Sequence, residues 1–384
     1  MTGTSTITPT ILAAREQEFP LLREYTYLNA ASQGPLPNRT VQAIQQVATA
    51  AQFPNTSHAR ALPNYEQEAR ERLARLIGAD PGDLVFTGNT THGMNICAQG
   101  IDWRPGDNVV IPGRDFPSLS YAWYHLTKRG VEVRQVPFAG AGPTADELLA
   151  AADNRTRAIA CSAITWDTGW QADMEELGRR CHERGILLIL DGIQAVAARR
   201  LDVKALRISA LATHGYKWLL AGFGVGALYV APEAIDRINP TFIGEQAVDA
   251  PASTFAGNLN WKPGAARYSA GGYNRLGVAA LATSLGLIEE IGIDTIEAHS
   301  RALADIARAE LQRRPGYEVV SSPDPTHRSA IVVFTTGSSE GDAALVRHLE
   351  DRGIIVALRP LGARISPHFY NTEEEVERLL EALP

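Results

Sequence analysis

An α/β fold with a mostly parallel sheet is what three features of the 384-residue chain predict. Between residues 83 and 230, short apolar runs of strand length alternate with helical patterns, the rhythm of a sheet with helices on both faces. Polar residues fall at or just beyond the ends of those runs (Thr87, Asp115, Thr165, Asp191 and His214), where parallel sheets collect their ligands. After Ala231 the rhythm gives way to a Pro-, Gly- and Asn-rich stretch, then to longer helices and short strands, which predicts a smaller α+β domain.

Taken in order, residues 11–23 read as a short helix and 25–29 as a short strand, followed by a turn-rich loop over 30–37. Helical periodicity marks 38–51 and 65–77. Strands are then expected at 83–87, 108–112, 131–137, 157–164 and 187–190, with helices at 91–98, 118–129 and 174–183 between them. Two apolar runs, one ending at Thr213-His214 and one at 225–230, flank a polar turn. The C-terminal part shows helices at 277–289, 295–313, 342–352 and 372–383, and strands at 329–335, 354–358 and 363–366. The expected division is an N-terminal arm and helix over 1–24, a large domain over 25–276 and a small domain over 277–384.

Composition narrows the function classes. The chain is 45% hydrophobic and 21% charged, with a net charge of -7 and no Lys/Arg cluster, which argues against nucleic acid. No stretch has the length of a membrane span, and the first ten residues read as a tail with neither a basic nor an apolar leader region. Three widely spaced cysteines, Cys97, Cys161 and Cys181, form neither a disulfide framework nor a metal cluster and fit a reducing cytoplasm.

The chemistry-bearing residues stand in an ordered set. Phe86 to Asn95 reads as strand, small-residue turn and helix start, a ready anion site in which Asn89, Thr90 and Thr91 would hold a phosphate; Thr90 or Thr91 could equally be a simple helix cap. Asp191 ends an apolar strand, and Gln194 follows three residues on. Lys217, in His214-Gly-Tyr-Lys-Trp, lies between two buried segments where an ammonium is costly to hide. Lowering its pKa frees the amine to attack a carbonyl and form a Schiff base. A strand-end carboxylate followed by such a lysine is what pyridoxal phosphate (PLP) needs, one group for the ring nitrogen and one for the aldehyde carbon.

On Asp191-Gly-Ile-Gln-Ala195, Gly215-Tyr-Lys-Trp-Leu219 and Arg364-Ile-Ser-Pro-His-Phe-Tyr-Asn371, the chain resembles the class V aminotransferase family of fold type I PLP enzymes. That family includes cysteine desulfurases and isopenicillin N epimerases. The resemblance runs from Tyr27 to Thr372. It implies a PLP-binding large domain with a seven-stranded type of sheet. It also implies Lys217 as the Schiff-base lysine, Asp191 at the pyridine nitrogen, Gln194 near the ring oxygen, and Thr90, Thr91 and His214 toward the phosphate. Phe116 matches the ring that stacks on the cofactor, by a contact that needs only a planar π-system. Trp166 departs from the asparagine of desulfurases and receives no polar role. Arg364, or its neighbour Arg359, would grip the carboxylate of a small amino-acid substrate through a two-pronged hydrogen bond. Asn29 and Ala31 belong to the segment that folds over the substrate. Gly272, in the segment that reaches the neighbouring subunit's phosphate, implies a homodimer with shared active sites. Desulfurases carry a cysteine shortly before the carboxylate arginine, and residues 353–364 contain none. The expected reaction is therefore epimerisation or β-elimination such as C–S cleavage. True transamination, a non-standard desulfuration and an inactive PLP-fold protein remain as alternatives.

Overall fold

The computed structural model describes residues 7–249 and 259–384. Part of the expected N-terminal tail and part of the Pro-, Gly- and Asn-rich stretch that follows Ala231 lie outside the described residues. The first part of the chain contains α1 (Pro9–Glu18), β1 (Thr26–Tyr27), α2 (Asn38–Ala50), α3 (Ser57–Arg60) and α4 (Tyr65–Ile77). It continues through β2 (Leu84–Thr87), α5 (Thr90–Gly100), β3 (Asn108–Pro112), α6 (Pro117–Tyr124), β4 (Glu132–Val136), α7 (Ala145–Ala150), β5 (Thr156–Ser162) and α8 (Met174–Glu183). Then come β6 (Leu187–Asp191), β7 (Ala210–His214) and β8 (Gly226–Val230). The C-terminal part holds α9 (Arg275–Ile291), α10 (Ile293–Arg313), β9 (Glu318–Val319), β10 (Val332–Thr335) and α11 (Ser339–Glu350). It closes with β11 (Ile354–Ile355), β12 (Ala357–Arg359), β13 (Gly362–Ile365) and α12 (Glu373–Glu381).

The large sheet has seven strands in the order β2-β8-β7-β6-β5-β3-β4. All neighbouring pairs are parallel except those of β8, which runs antiparallel to β2 and β7. Strands β3, β6 and β8 are buried along their whole length, which is why they read as continuous apolar runs. Ser162, Asp191 and Ala212 stand side by side in register at the carboxyl ends of β5, β6 and β7. A second, antiparallel sheet, β12-β13-β10-β9, organises a separate apolar cluster with α10, α11 and α12.

The N-terminal segment belongs spatially to the C-terminal one. β1 pairs parallel with β11, Thr26 against Ile354 and Tyr27 against Ile355. Arg15 of α1 reaches Glu375 of α12 at 2.9 Å, with both side chains largely shielded from water. Asn29 then bridges to Ser366, next to the end of β13. This pairing carries residues 29–34 across the carboxyl edge of the large sheet.

Several elements differ from the sequence expectation for local reasons. The first helix starts at Pro9, inside the expected tail, because Thr8 caps it and proline is favoured in the first turn. It ends at Glu18, and a separate 3-10 turn follows over Pro20–Arg23, since Pro20 cannot continue the helical ladder. The strand expected at 354–358 divides at Val356 into β11 and β12, which pair in different sheets. Helix α7 was not anticipated, although Thr144 and Glu147 form a capping box that marks its start. The boundary expected at residue 277 falls in the first turn of α9, which packs against both α2 and α4.

Helix α5 lies so close to β7 that a Cβ on Gly93 would stand 2.7 Å from the Cβ of Ala212. Neither atom can rotate away. Gly93→Val is therefore expected to lower the unfolding free energy by about 1–3 kcal/mol, as overpacking does, read as a shift of the urea midpoint. Stability equal to that of the unaltered chain would mean that α5 can lift off the sheet.

Candidate active site

Lys217 follows β7 on a tight turn, with Leu220 held in the left-handed region at φ 55°. The turn is pressed from above by the N-terminal segment. Gly34 donates its N–H to the Tyr216 carbonyl at 2.8 Å, and a Cβ on Gly34 would lie 2.2 Å from the Lys217 carbonyl oxygen. Only glycine permits that approach. From below, His368 donates Nε2–H to the Trp218 carbonyl at 3.0 Å.

The lysine is 5% exposed, and its Nζ lies 5.7 Å from the centre of the Phe116 ring. Burial pushes its pKa well down and the Arg364 guanidinium adds to this, while Asp191 opposes both. Asp191, 1% exposed, has its pKa pushed up by burial, although one oxygen accepts the Ile193 N–H at 3.0 Å. An amine biased toward neutrality and a carboxylate biased toward holding a proton thus share one dry site.

The phosphate-side residues separate into different jobs. Asn89 is the helix cap, accepting the His92 N–H at 2.8 Å, so neither threonine has that role. Thr90 is buried and its hydroxyl has no protein partner, while Thr91 donates to the Ser118 hydroxyl at 2.8 Å. Ser118 escaped the sequence reading; its position two residues after Phe116 was the available signal. His214 accepts the Gly224 N–H on Nε2 at 3.3 Å, and its pKa is lowered to about 4 by burial and by Lys217, so the ring is neutral. Its edge faces Tyr216, which stacks on Phe223 at 4.5 Å.

Gln194 is tied into the protein on two sides. Its amide oxygen accepts the Trp218 indole N–H at 2.8 Å and its nitrogen donates to the Ala31 carbonyl at 3.0 Å. The indole can only donate, which fixes the amide's orientation. One N–H remains to face a ring oxygen, and the side chain also ties the lysine turn to the N-terminal segment. Gly272 is exposed and lines a cavity of about 340 Å³ together with Gly88, His92 and Gly224.

At the other end, Arg364 and Arg359 converge. Arg364, 1% exposed, donates to the Trp166 carbonyl at 2.6 Å and to the Ser32 hydroxyl at 2.7 Å. Arg359 donates to the same Ser32 hydroxyl at 2.6 Å and to the Leu358 carbonyl at 2.9 Å. Ser32 in turn donates to Asn29 Oδ1 at 2.5 Å, and Ala31 N–H is held by the Ser366 hydroxyl at 2.9 Å. The Nε atoms of both arginines and the Trp166 indole nitrogen are buried without a protein partner. The structure brings both candidate arginines to one point, where the sequence left them as alternatives. Ser32 carried no motif of its own and was missed for that reason.

All three cysteines are buried, at 0%, 2% and 1% exposure for Cys97, Cys161 and Cys181. Burial raises all three thiols, Cys97 and Cys181 to about 12 and Cys161 well above the usual thiol range, the opposite of an activated thiol. The remaining groups fit PLP: a buried amine beside a buried carboxylate, an aromatic ring near the amine, and an orphaned hydroxyl at a helix N-terminus.

Comparisons with known proteins agree. The family model for aminotransferase class V matches residues 26–379. A probable cysteine desulfurase of Methanothermobacter thermautotrophicus is 31% identical, with 96% of each chain covered. The isopenicillin N epimerase of Streptomyces clavuligerus is 32% identical over 93% of each. Among solved structures, the cystine C–S lyase C-DES in complex with its product cysteine persulfide superposes with a TM-score of 0.86 at 26% identity. That match covers 95% of this chain and 98% of the other. A C-DES mutant with glycine covalently linked to its PLP cofactor gives 0.87 at 26% identity, covering 96% and 98%.

The contact from His368 to the lysine turn makes a pH prediction. His368 is 0% exposed, accepts the Phe369 N–H on Nδ1 at 2.7 Å and has its pKa lowered by burial to about 4. The unfolded chain takes up this proton near pH 6.5, whereas the folded chain does so only near pH 4. Its contribution is therefore complete above pH 6.5 and is lost as pH falls toward 4, by on the order of 3 kcal/mol. The urea midpoint should drop over that window, and less steeply in His368→Gln. Identical pH profiles for the two proteins would contradict this.

Proposed function

The chain belongs to the aminotransferase class V family and is a fold type I, PLP-dependent enzyme; from that premise we propose that it removes the α-proton of an amino acid by way of Lys217, leading to β-elimination or epimerisation, with no cysteine nucleophile. The observation that carries this reading is the build of residues 353–364. In desulfurases this stretch is the mobile loop that bears the thiol. Here it is taken up by β11, β12 and β13, with Pro360 and Leu361 alone between the last two strands. No cysteine lies on it, and the three elsewhere are buried in the core.

Bound PLP supplies an electron sink for the pair left when the α-proton departs. The chain's own groups would divide the remaining work. Lys217 would hold the cofactor through Nζ, and its lowered pKa leaves the amine able to accept a proton at that atom. Asp191 would face the ring nitrogen, Phe116 would flank the ring, and the one free N–H of Gln194 would point to the ring oxygen. Thr90, Thr91 and the first turn of α5 would receive the phosphate. Arg364 would fix the α-carboxylate and so set which α-carbon bond points toward Lys217.

The reading extends to a homodimer with shared active sites. Exposed Phe242 packs edge-on against His92, which lines the same cavity as Gly272, and Phe223 and Ile243 are exposed as well. A reducing cytoplasm suits three free thiols.

Replacing Cys97, Cys161 and Cys181 together by Ala is expected to leave turnover within about three-fold of the unaltered enzyme, since each thiol acts only as a small buried hydrophobe. In D2O the same variant should still exchange the α-proton of its substrate, with pyruvate and ammonia marking elimination and an inverted centre marking epimerisation. Turnover abolished by one cysteine replacement, with PLP still bound, would return the enzyme to the desulfurase class.

A further inference from the structure

Two guanidinium groups share one neutral oxygen in this site. The Ser32 hydroxyl accepts from Arg359 at 2.6 Å and from Arg364 at 2.7 Å while donating to Asn29 at 2.5 Å, so its hydrogen-bonding capacity is full. Neither arginine has a carboxylate within ion-pair distance among the described residues, in contrast to Arg15 with Glu375 and Arg39 with Glu18. Both Nε atoms are buried without a partner. Arg364 is held well below the usual guanidinium range by burial and by Arg359. Lys217 is a further basic group facing the same space, and both arginines depress it. The nearby carboxylates are committed elsewhere. Asp167 pairs with Arg114 at 2.8 Å and acts on Arg364 only through space, and Asp191 lies at the end of β6 beside the lysine.

Holding two desolvated cations together with no anion in ion-pair contact is unfavourable, and a single carboxylate would leave one charge without such a partner. The phosphate-side groups Thr90 and Thr91 stand on a different element, at the start of α5. We infer that the substrate carries two anionic groups: its α-carboxylate on Arg364 and a second acidic group, on its side chain, on Arg359. Arg359 is the natural reader of the second group. It is half-buried and faces the Trp166 ring at 6.0 Å, whereas Arg364 is fully enclosed and anchored to the Trp166 carbonyl. Ser32 occupies the position between them, and its hydroxyl would yield both donors when the anions arrive. A planar guanidinium suits such an acid, because it can offer two parallel N–H groups to one carboxylate. This inference rests on the PLP reading given above and adds the substrate class to it.

The test uses the PLP-loaded enzyme and follows the cofactor's absorbance as L-aspartate, L-asparagine, L-glutamate and L-glutamine are added. Each acid should bind at least about ten-fold more tightly than its amide, a difference of about 1.4 kcal/mol. Arg359→Gln should reduce that preference to about two-fold or less while changing affinity for the amides by less than about three-fold. Arg364→Gln should weaken acids and amides alike. Equal binding of acid and amide in the unaltered enzyme would overturn the inference, as would a preference that survives Arg359→Gln. In both of those cases the cofactor still responds to amino acids, so the proposed function stands. An absorbance unmoved by any amino acid at any concentration would instead overturn the proposed function, and the substrate class with it.

Discussion

The cost of burying an amine governs this site. Lys217 sits behind the carboxyl edge of the large sheet with 5% of its surface exposed, and a fixed ammonium there would be strongly disfavoured. The fold meets that cost by biasing the amine toward neutrality and by setting Asp191 on the neighbouring strand, in register with Ala212 of β7. The parallel pairing of β6 with β7 is thus what brings a base and an acid into one dry space. The same burial biases the two groups in opposite directions, the combination on which the proposed handling of a carbonyl cofactor with a basic ring nitrogen rests.

The chain ends complete what the sheet begins. β1 pairs with β11, α1 is tied to α12, and the segment between them passes over the lysine turn at Gly34. Through Gln194, Ser32 and Ser366, that segment touches the lysine turn, both arginines and the end of β13. Anything that shifts the small sheet must therefore move the lid-like stretch 29–34 along with Arg359 and Arg364, because they are hydrogen-bonded as one unit. The same guanidinium groups also depress the basicity of Lys217, so the arginine pair and the lysine are linked electrostatically.

How much of this was legible in the sequence follows from the range of each interaction. Local signals worked: strand-end Asp191, the turn around Lys217, the α5 start (expected at Thr91, found at Thr90) and the apolar strands all lie within short stretches whose pattern carries them. Interactions across the chain did not. Ser32 meets Arg364 across 332 positions, and no periodicity or turn chemistry announces that contact. The meeting of Arg359 and Arg364 was hidden for the same reason, because the β12–β13 hairpin is what brings both to one hydroxyl. Asn89 took the cap expected of a threonine because its short side chain reaches the His92 N–H from an extended backbone. Gln194 was read by position alone, and the indole of Trp218 that claims its oxygen lies 24 residues on.

The most direct measurement is chemical. Borohydride reduction of the PLP-loaded enzyme, followed by proteolysis and mass analysis, should place the pyridoxyl mass on the peptide containing Lys217 and nowhere else, and Lys217→Ala should abolish that labelling while the protein stays folded. A label on another lysine, or equal labelling in the Lys217→Ala protein, would contradict the assignment of the buried amine as the centre of the site.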